Sequence, residues 1–169
     1  MAEPWLSGPV AGIDAYLQPV AHALLQARDD LARAAEGLDG RQLWLRPGGA
    51  AAPGFHLRHI AGSIERLLTY ARGQALSDAQ VAAARAEQAP DDTAAAPALV
   101  ALAQRAIDGA LEQLRGCPRE RLLEPREVGR ARLPSTLLGL LFHVAEHTQR
   151  HTGQLIATAK AVRAEGGAA

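Results

Sequence analysis

Histidine carries the clearest chemical signal in this sequence, because five of the six histidines fall into two clusters. His143, His147 and His151 recur at intervals of four in a mostly apolar stretch, and His56 and His59 lie far upstream. Side chains four residues apart share one side of a helix, so their imidazoles can converge on one point. Imidazole is a common ligand of zinc and related metals. The two clusters therefore predict a metal site shared by two helices.

The apolar stripe of the last predicted helix ranks its three histidines. At about 100° per residue, His151 lies about 30° from the centre of the stripe, His147 about 70° and His143 about 110°. We therefore expect His147 and His151 to face inward and His143 to lie at the flank. The residues alone leave open whether His56 or His59 supplies a third ligand. The stripe consists of Leu137, Leu140, Leu141, Val144, Thr148, Leu155, Ala159 and Val162.

A second motif overlaps the histidines of the last predicted helix. His143, Glu146 and His147 match the H-x-x-E-H arrangement of one class of zinc protease, in which the glutamate acts as the base. Glu146 falls nearly opposite the apolar stripe, so we expect it to face solvent and the short match to be fortuitous. Glu65 and the lone thiol of Cys117 are predicted to have no catalytic role.

Four amphipathic segments are expected to position these histidines. Apolar residues recur every three or four positions in each segment, which predicts a helix. The predicted helices span residues 10–37, 55–72, 93–115 and 136–162. Since no strand pattern is evident, the expected fold class is all-α, a four-helix bundle with long connections between helices 2 and 3 and between helices 3 and 4.

The segments between these helices are predicted from their turn-forming residues. Residues 39–54 are rich in glycine and proline and read as a loop, and residues 119–134 read as a second connection. A short helix is expected near residues 78–88, and Ser135 is the expected N-cap of the last helix. The whole chain, residues 1–169, is predicted to be one domain, with flexible tails at 1–9 and 164–169.

Charge and cysteine content limit the expected binding partners and the expected cellular compartment. The chain has 18 basic and 18 acidic residues, so we expect neither nucleic acid nor a membrane surface as a partner. One cysteine permits no internal disulfide and fits a reducing compartment. The first residues lack the basic and apolar regions of a signal peptide. The expected location is therefore cytoplasmic.

Two segments around the histidines, Gly54–Ser63 and His143–Gln154, resemble the DinB-like (YfiT-like) metal-binding four-helix bundles, and the loop Leu43-Trp44-x-x-Pro47 is similar too. The resemblance implies that His59, His147 and His151 are the metal ligands. His56 and His143 are additional to that triad. Together with Trp44, they are expected to contact the ligands or to line a pocket.

Three neutral imidazoles leave coordination positions open, as in catalytic metal sites. The resemblance implies a metal-dependent enzyme acting on a small molecule, either an S-transferase that uses a low-molecular-weight thiol or a hydrolase. It also implies a homodimer. The alternative is a non-catalytic metal-binding or stress-associated protein. Imidazole suits zinc, nickel, iron or copper, and manganese is a further candidate, so the divalent metal stays undetermined.

Overall fold

The structure, a computed structural model, describes residues 3–166, and most of them are helical. This confirms the all-α class. The helices are α1 (Gln18–Ala35), α2 (Gly40–Trp44), α3 (Pro53–Ala71), α4 (Asp78–Ala86), α5 (Ala96–Arg115) and α6 (Leu137–Gly166). Two short strands, β1 (Pro125–Val128) and β2 (Leu133–Thr136), pair in an antiparallel hairpin.

The four long helices enclose the core. α1 packs against α5 and α6, and α3 packs against the same two helices. Their apolar stripes meet in the interior, where each buried leucine or isoleucine stabilises the fold by about 1.5–3 kcal/mol. The fully buried side chains include Leu24, Leu31, Leu57, Ile60, Ile64, Ile107, Leu114, Leu141 and Leu155. The contact of α3 with α6 brings the two histidine clusters together.

The first helix is shorter than predicted. It begins at Gln18, after a 3-10 turn at Ala15–Leu17, whereas the sequence suggested a start near residue 10. Gly12 has a φ of +75°, which a continuous right-handed helix does not accommodate. Pro19 then falls in the first turn of α1, where its missing N–H breaks no helical hydrogen bond.

The segment predicted as a loop at residues 39–54 contains the short helix α2. Asp39 and Gln42 form a capping box: the Gln42 N–H donates to Asp39 Oδ1 at 2.7 Å, and the Asp39 N–H donates to Gln42 Oε1 at 3.2 Å. These bonds satisfy backbone donors that otherwise have no partner at a helix start. The spacing of Asp39 and Gln42 was the signal that the Gly/Pro content obscured.

The second connection was predicted without strands, and this was wrong. β1 and β2 pair with Pro125 opposite Thr136 and Val128 opposite Leu133. Strands of four residues are too short for an alternating pattern to stand out in the sequence. The hairpin leads the chain directly into α6.

The predicted N-cap of the last helix was also one residue off. Ser135 lies in β2, and the hydroxyl of Thr136 accepts the N–H of Gly139 at 3.0 Å. Thr136 therefore satisfies a free backbone donor at the start of α6. The cap lies at the last residue of the strand because β2 runs into α6 without a loop.

The structure describes part of each predicted tail. Residues 164–166 continue α6, and the N-terminal segment includes a 3-10 helix at Pro4–Leu6. Residues 1–2 and 167–169 of those tails lie outside the described residues. Across residues 3–166, no helix combines the length and the hydrophobicity needed to cross a membrane.

Candidate metal centre

Two antiparallel helices supply the histidine cluster. His56 and His59 lie in the first two turns of α3, which starts at Pro53, and His147 and His151 lie in the middle of α6. His56 contacts His151 and His59 contacts His147, so the residue numbers run in opposite directions along the two helices. The i, i+3 spacing on α3 and the i, i+4 spacing on α6 each place two imidazoles toward the shared interface.

The three predicted ligands lie close together. One nitrogen from each of His59, His147 and His151 lies within 4.8 Å of the others. The Nε2 atoms of His59 and His147 are 2.9 Å apart. Two imidazole nitrogens bound tetrahedrally to one zinc ion, at about 2.0–2.1 Å each, are separated by about 3.3 Å. The three histidines are therefore positioned to hold one divalent ion.

Burial keeps two of these rings neutral. Burial, followed by the charges of the neighbouring histidines, lowers the pKa of His147 to about 4 and that of His151 to about 3. Burial disfavours the charged imidazolium because it removes the solvating water. A metal binds the neutral ring, so neither side chain has to release a proton at neutral pH before binding.

A buried carboxylate orients the third ring. Oε2 of Glu87 lies 2.7 Å from Nδ1 of His59, and the same carboxylate forms an ion pair with Arg66. Burial raises the pKa of Glu87, but hydrogen bonds from His59 and Arg66 outweigh this effect, and the pKa lies below its usual value. An ionised carboxylate only accepts hydrogen bonds, so the His59 proton belongs on Nδ1 and the Nε2 lone pair faces the site. The sequence offered no signal for Glu87, which lies 28 positions after His59 in a polar connection.

His56 contacts a predicted ligand rather than joining the three converging nitrogens. Its Nδ1 lies 3.1 Å from Nδ1 of His151, which leaves Nε2 of His151 for an ion. The His56 side chain is only 3% exposed, and burial, followed by the charge of His59, lowers its pKa to about 4. His56 therefore occupies the position of a hydrogen-bond partner of His151.

His147 differs from the other two rings. Its Nδ1 is buried and has no hydrogen-bond partner within residues 3–166. Its Nε2 faces the Nε2 lone pair of His59 at 2.9 Å, so in the metal-free protein this nitrogen donates its proton to His59, and a bound ion would take the place of that proton. The three imidazoles thus fit a bound divalent ion, with outer partners on His59 and His151.

His143 lies at the flank, where the helix geometry placed it. Its side chain is 47% exposed, its ring centroid is 5.3 Å from that of His147, and its Nδ1 lies 3.2 Å from Oε2 of Glu146. Glu146 also forms an ion pair with Arg150. The positive charge of Arg150 opposes a cation bound to Glu146, although His143, Glu146 and His147 lie close enough to hold one.

Phe55 is a site residue that the sequence interpretation missed. Its ring stacks on His59 with centroids 5.1 Å apart and an angle of 17°, and it meets His56 edge-on at 5.3 Å. The side chain is half-buried, so part of it remains open to solvent. Its position directly before His56 at the start of α3 was the available signal.

Trp44 braces the start of α3. Its ring lies over Gly54, where an added Cβ would be 2.8 Å from Cη2 of Trp44. The guanidinium of Arg58 lies 4.7 Å from the ring centroid, and the indole N–H donates to the carbonyl of Asp91 at 2.9 Å. These contacts hold the turn that carries His56 and His59.

The sixth histidine, His22, lies apart from the cluster, as do Cys117 and Glu65, which were predicted to have no catalytic role. Nε2 of His22 lies 3.0 Å from the carbonyl oxygen of Gly8. Burial raises the pKa of the Cys117 thiol, which reduces its nucleophilicity at neutral pH. Glu65 is exposed on α3, as expected.

Comparison with known proteins identifies one family. Residues 23–155, most of the chain, match the sequence model of the DinB superfamily. This stretch includes both histidine clusters and Glu87. No curated protein matches the chain.

Proposed function

The chain belongs to the DinB superfamily, and we propose that it is a metal-dependent enzyme that acts on a small molecule through His59, His147 and His151. The observation that carries this proposal is the donor set, in which three imidazoles converge without a carboxylate. Such a set leaves a position free for substrate. A bound divalent ion supplies Lewis acidity, which lowers the pKa of a water or thiol and polarises a carbonyl.

His143 is the group proposed to move a proton at this site. Its ring neighbours that of His147 and is half exposed, so a substrate can reach it. The contact of its Nδ1 with Glu146 favours a proton on Nδ1 and leaves Nε2 as the base. A base at this position serves a thiol transferase and a hydrolase equally, because both require a nucleophile to lose a proton.

A non-catalytic role is the second candidate. The ligands come from α3 and α6, so one ion would cross-link two of the four long helices. A cross-link of this kind stabilises the fold in proportion to the binding free energy of the metal. Both candidates require the same three ligands, and they differ in whether an outside molecule reaches the ion.

Metal analysis tests the site that both candidates share. We expect purified protein loaded with zinc and then desalted to retain about one ion per chain. His151→Ala should lose most of it, whereas His22→Ala, which alters a histidine outside the cluster, should retain it. Equal zinc in the wild type and His151→Ala would disprove the site.

Cobalt substitution separates the enzyme from the cross-link. Cobalt(II) absorbs visible light with an intensity and wavelength that report its ligands. Adding azide or 2-mercaptoethanol should change the spectrum if a position is open, and should leave it unchanged if the ion is enclosed by protein. A change in the cobalt spectrum would support the enzyme. The protein should then be screened for thiol transfer and for ester or amide hydrolysis, and His143→Ala should reduce any activity that is found.

We further propose that the four long helices form a DinB-like four-helix bundle and that the chain is a homodimer. The pairing of α1 and α3 with the same two helices, α5 and α6, supports the bundle. Light scattering coupled to size-exclusion chromatography tests the dimer through the mass of the species in solution.

A further inference from the structure

The connection between α3 and α5 buries almost nothing, with one exception. Within residues 72–95, Glu87 is the only buried residue, at 7% exposure, and α4 contributes no buried side chain. A carboxylate is a costly group to bury unless it is paired and hydrogen-bonded. Its burial here therefore calls for an explanation beyond packing.

The helix α3 has a gap that accepts this carboxylate. An added Cβ at Gly62 would lie 2.3 Å from Oε1 of Glu87 and 2.7 Å from Nη1 of Arg66. Glycine in a helix interior destabilises the helix. The benefit of Gly62 is therefore the space left by its missing side chain. Gly62 thus lets Glu87 approach the backbone of α3 closely enough to contact both His59 and Arg66.

Polar contacts on both sides of Glu87 hold the connection against α3. Before it, Gln80 donates to the hydroxyl of Thr69 at 2.9 Å. After it, Arg58 donates to the carbonyl of Ala89 at 2.9 Å and pairs with Asp91. The carboxylate is therefore carried by a segment whose place on α3 depends on a few polar bonds.

Given the proposed function, we propose that Glu87 is a positioning residue of the metal site. Glu87 holds the His59 proton on Nδ1 and so presents the Nε2 lone pair of His59 to the ion. Arg66 orients the carboxylate, and Gly62 provides its space. Hydrogen bonds from a ligating histidine to a carboxylate fix the ring and increase its basicity. Metal affinity and the docking of residues 78–91 on α3 are consequently coupled, and each stabilises the other.

Zinc titration against a chromophoric chelator tests the proposal. Glu87→Gln keeps the shape and an accepting oxygen but lacks the charge, and we expect roughly tenfold weaker binding. Glu87→Ala removes the acceptor, and we expect a loss approaching 100-fold. Glu65→Gln is the matched control, because Glu65 is an exposed carboxylate on α3, and it should bind zinc within twofold of the wild type.

Gly62→Ala separates positioning from a general loss of stability. The added methyl group displaces the Glu87 carboxylate and leaves all ionisable groups in place. Alanine favours a helix more than glycine does, so α3 itself gains stability while zinc binding weakens by about tenfold. A variant that was simply misfolded would lose both stability and zinc binding.

Nuclear magnetic resonance of the histidine rings gives a readout that a purely structural role would not change. In the metal-free and zinc-loaded wild type, nitrogen shifts should show His59 with its proton on Nδ1. In Glu87→Ala, the metal-free ring should become a mixture of both tautomers. Glu87→Ala with unchanged zinc affinity and an unchanged His59 tautomer would overturn the proposal.

The zinc titrations also distinguish a failure of the proposed metal site from a failure of the positioning role of Glu87. A wild-type protein that fails to bind zinc contradicts the proposed function itself. A wild type that binds zinc, with Glu87 and Gly62 variants that bind equally well, contradicts only the positioning role.

Discussion

Nδ1 of His56 lies 3.1 Å from Nδ1 of His151, so one of these two nitrogens carries a proton and the other accepts it in a hydrogen bond. If His151 binds an ion through Nε2, its own proton is on Nδ1 and His56 accepts it. His56 is buried and carries no charge at neutral pH, because burial lowers its pKa to about 4. A neutral acceptor of this kind orients a ligand without adding charge to the site.

His56→Leu should weaken zinc binding by roughly tenfold while the protein stays folded. Leucine fills much of the same buried space but leaves Nδ1 of His151 without an acceptor. A zinc competition titration measures the change, and His56→Gln, which restores an acceptor, should recover part of it. Wild-type affinity in His56→Leu would show that the contact with His151 has no influence on the ligand.

The metal-free protein should lose stability as the pH falls from 7.5 to 5. In the unfolded chain, histidine has a pKa of about 6.5 and takes up a proton in this range. In the folded chain, the pKa of His56 is about 4, so the folded state does not take up that proton until the pH is lower. Stability is therefore complete above pH 6.5 and is lost toward pH 4, by about 2 kcal/mol for His56 alone down to pH 5.

Urea denaturation in the presence of EDTA measures this dependence. The lowered pKa values of His147 and His151 act in the same direction and steepen the slope. His56→Leu should reduce the slope, because one of the groups that take up a proton on unfolding is gone. A midpoint that is constant from pH 7.5 to 5 would contradict neutral burial of these rings.

Gly54→Ala should destabilise the protein by about 1–3 kcal/mol. The added Cβ would lie 2.8 Å from Cη2 of Trp44 and 3.0 Å from the backbone oxygen of Leu43, which cannot easily move. Gly109→Ala is the matched control, since an added Cβ meets nothing within 4 Å there. Removing that helical glycine should stabilise α5 by about 0.5–1 kcal/mol. Thermal or urea denaturation compares the two, and equal stabilities would argue against the packing of Trp44 on α3.

Glu146→Gln should leave zinc affinity within twofold of the wild type. Glu146 pairs with Arg150 on a partly exposed face, and solvent screens such a pair, so its loss should change stability little. His147→Ala, one residue away on the same helix, should lose the metal. His147→Ala is the positive control, because both candidate clusters include His147. Metal analysis after desalting decides between the three-histidine site and the cluster of His143, Glu146 and His147, in which Glu146 would be a ligand. Loss of zinc from Glu146→Gln would favour that cluster.

Short-range patterns accounted for much of this protein. The period of the apolar residues predicted the long helices, and the 100° step along α6 separated the inward His147 and His151 from the exposed His143. Both inferences depend only on neighbours within one helix, so a sequence contains what they need. The hairpin and the cap at Thr136 were missed because short strands carry too few residues to show a period.

The partners of the histidines depended on contacts across the chain. Spacing alone could not choose between His56 and His59, because both lie on the inner side of the same helical turns. Glu87 carried no distinguishing pattern, and it reaches His59 only because Gly62 leaves room on α3.

The sequence by itself determined the helical class, the inward pair on the last helix and the expectation of a shared ion. Only the tertiary structure decided which nitrogen of each ring faces the site, since that depends on hydrogen bonds from other elements. Glu87 leaves Nε2 of His59 free, and His56 leaves Nε2 of His151 free. Periodicity places a side chain on a face, but a ring nitrogen is oriented by the group that packs against it.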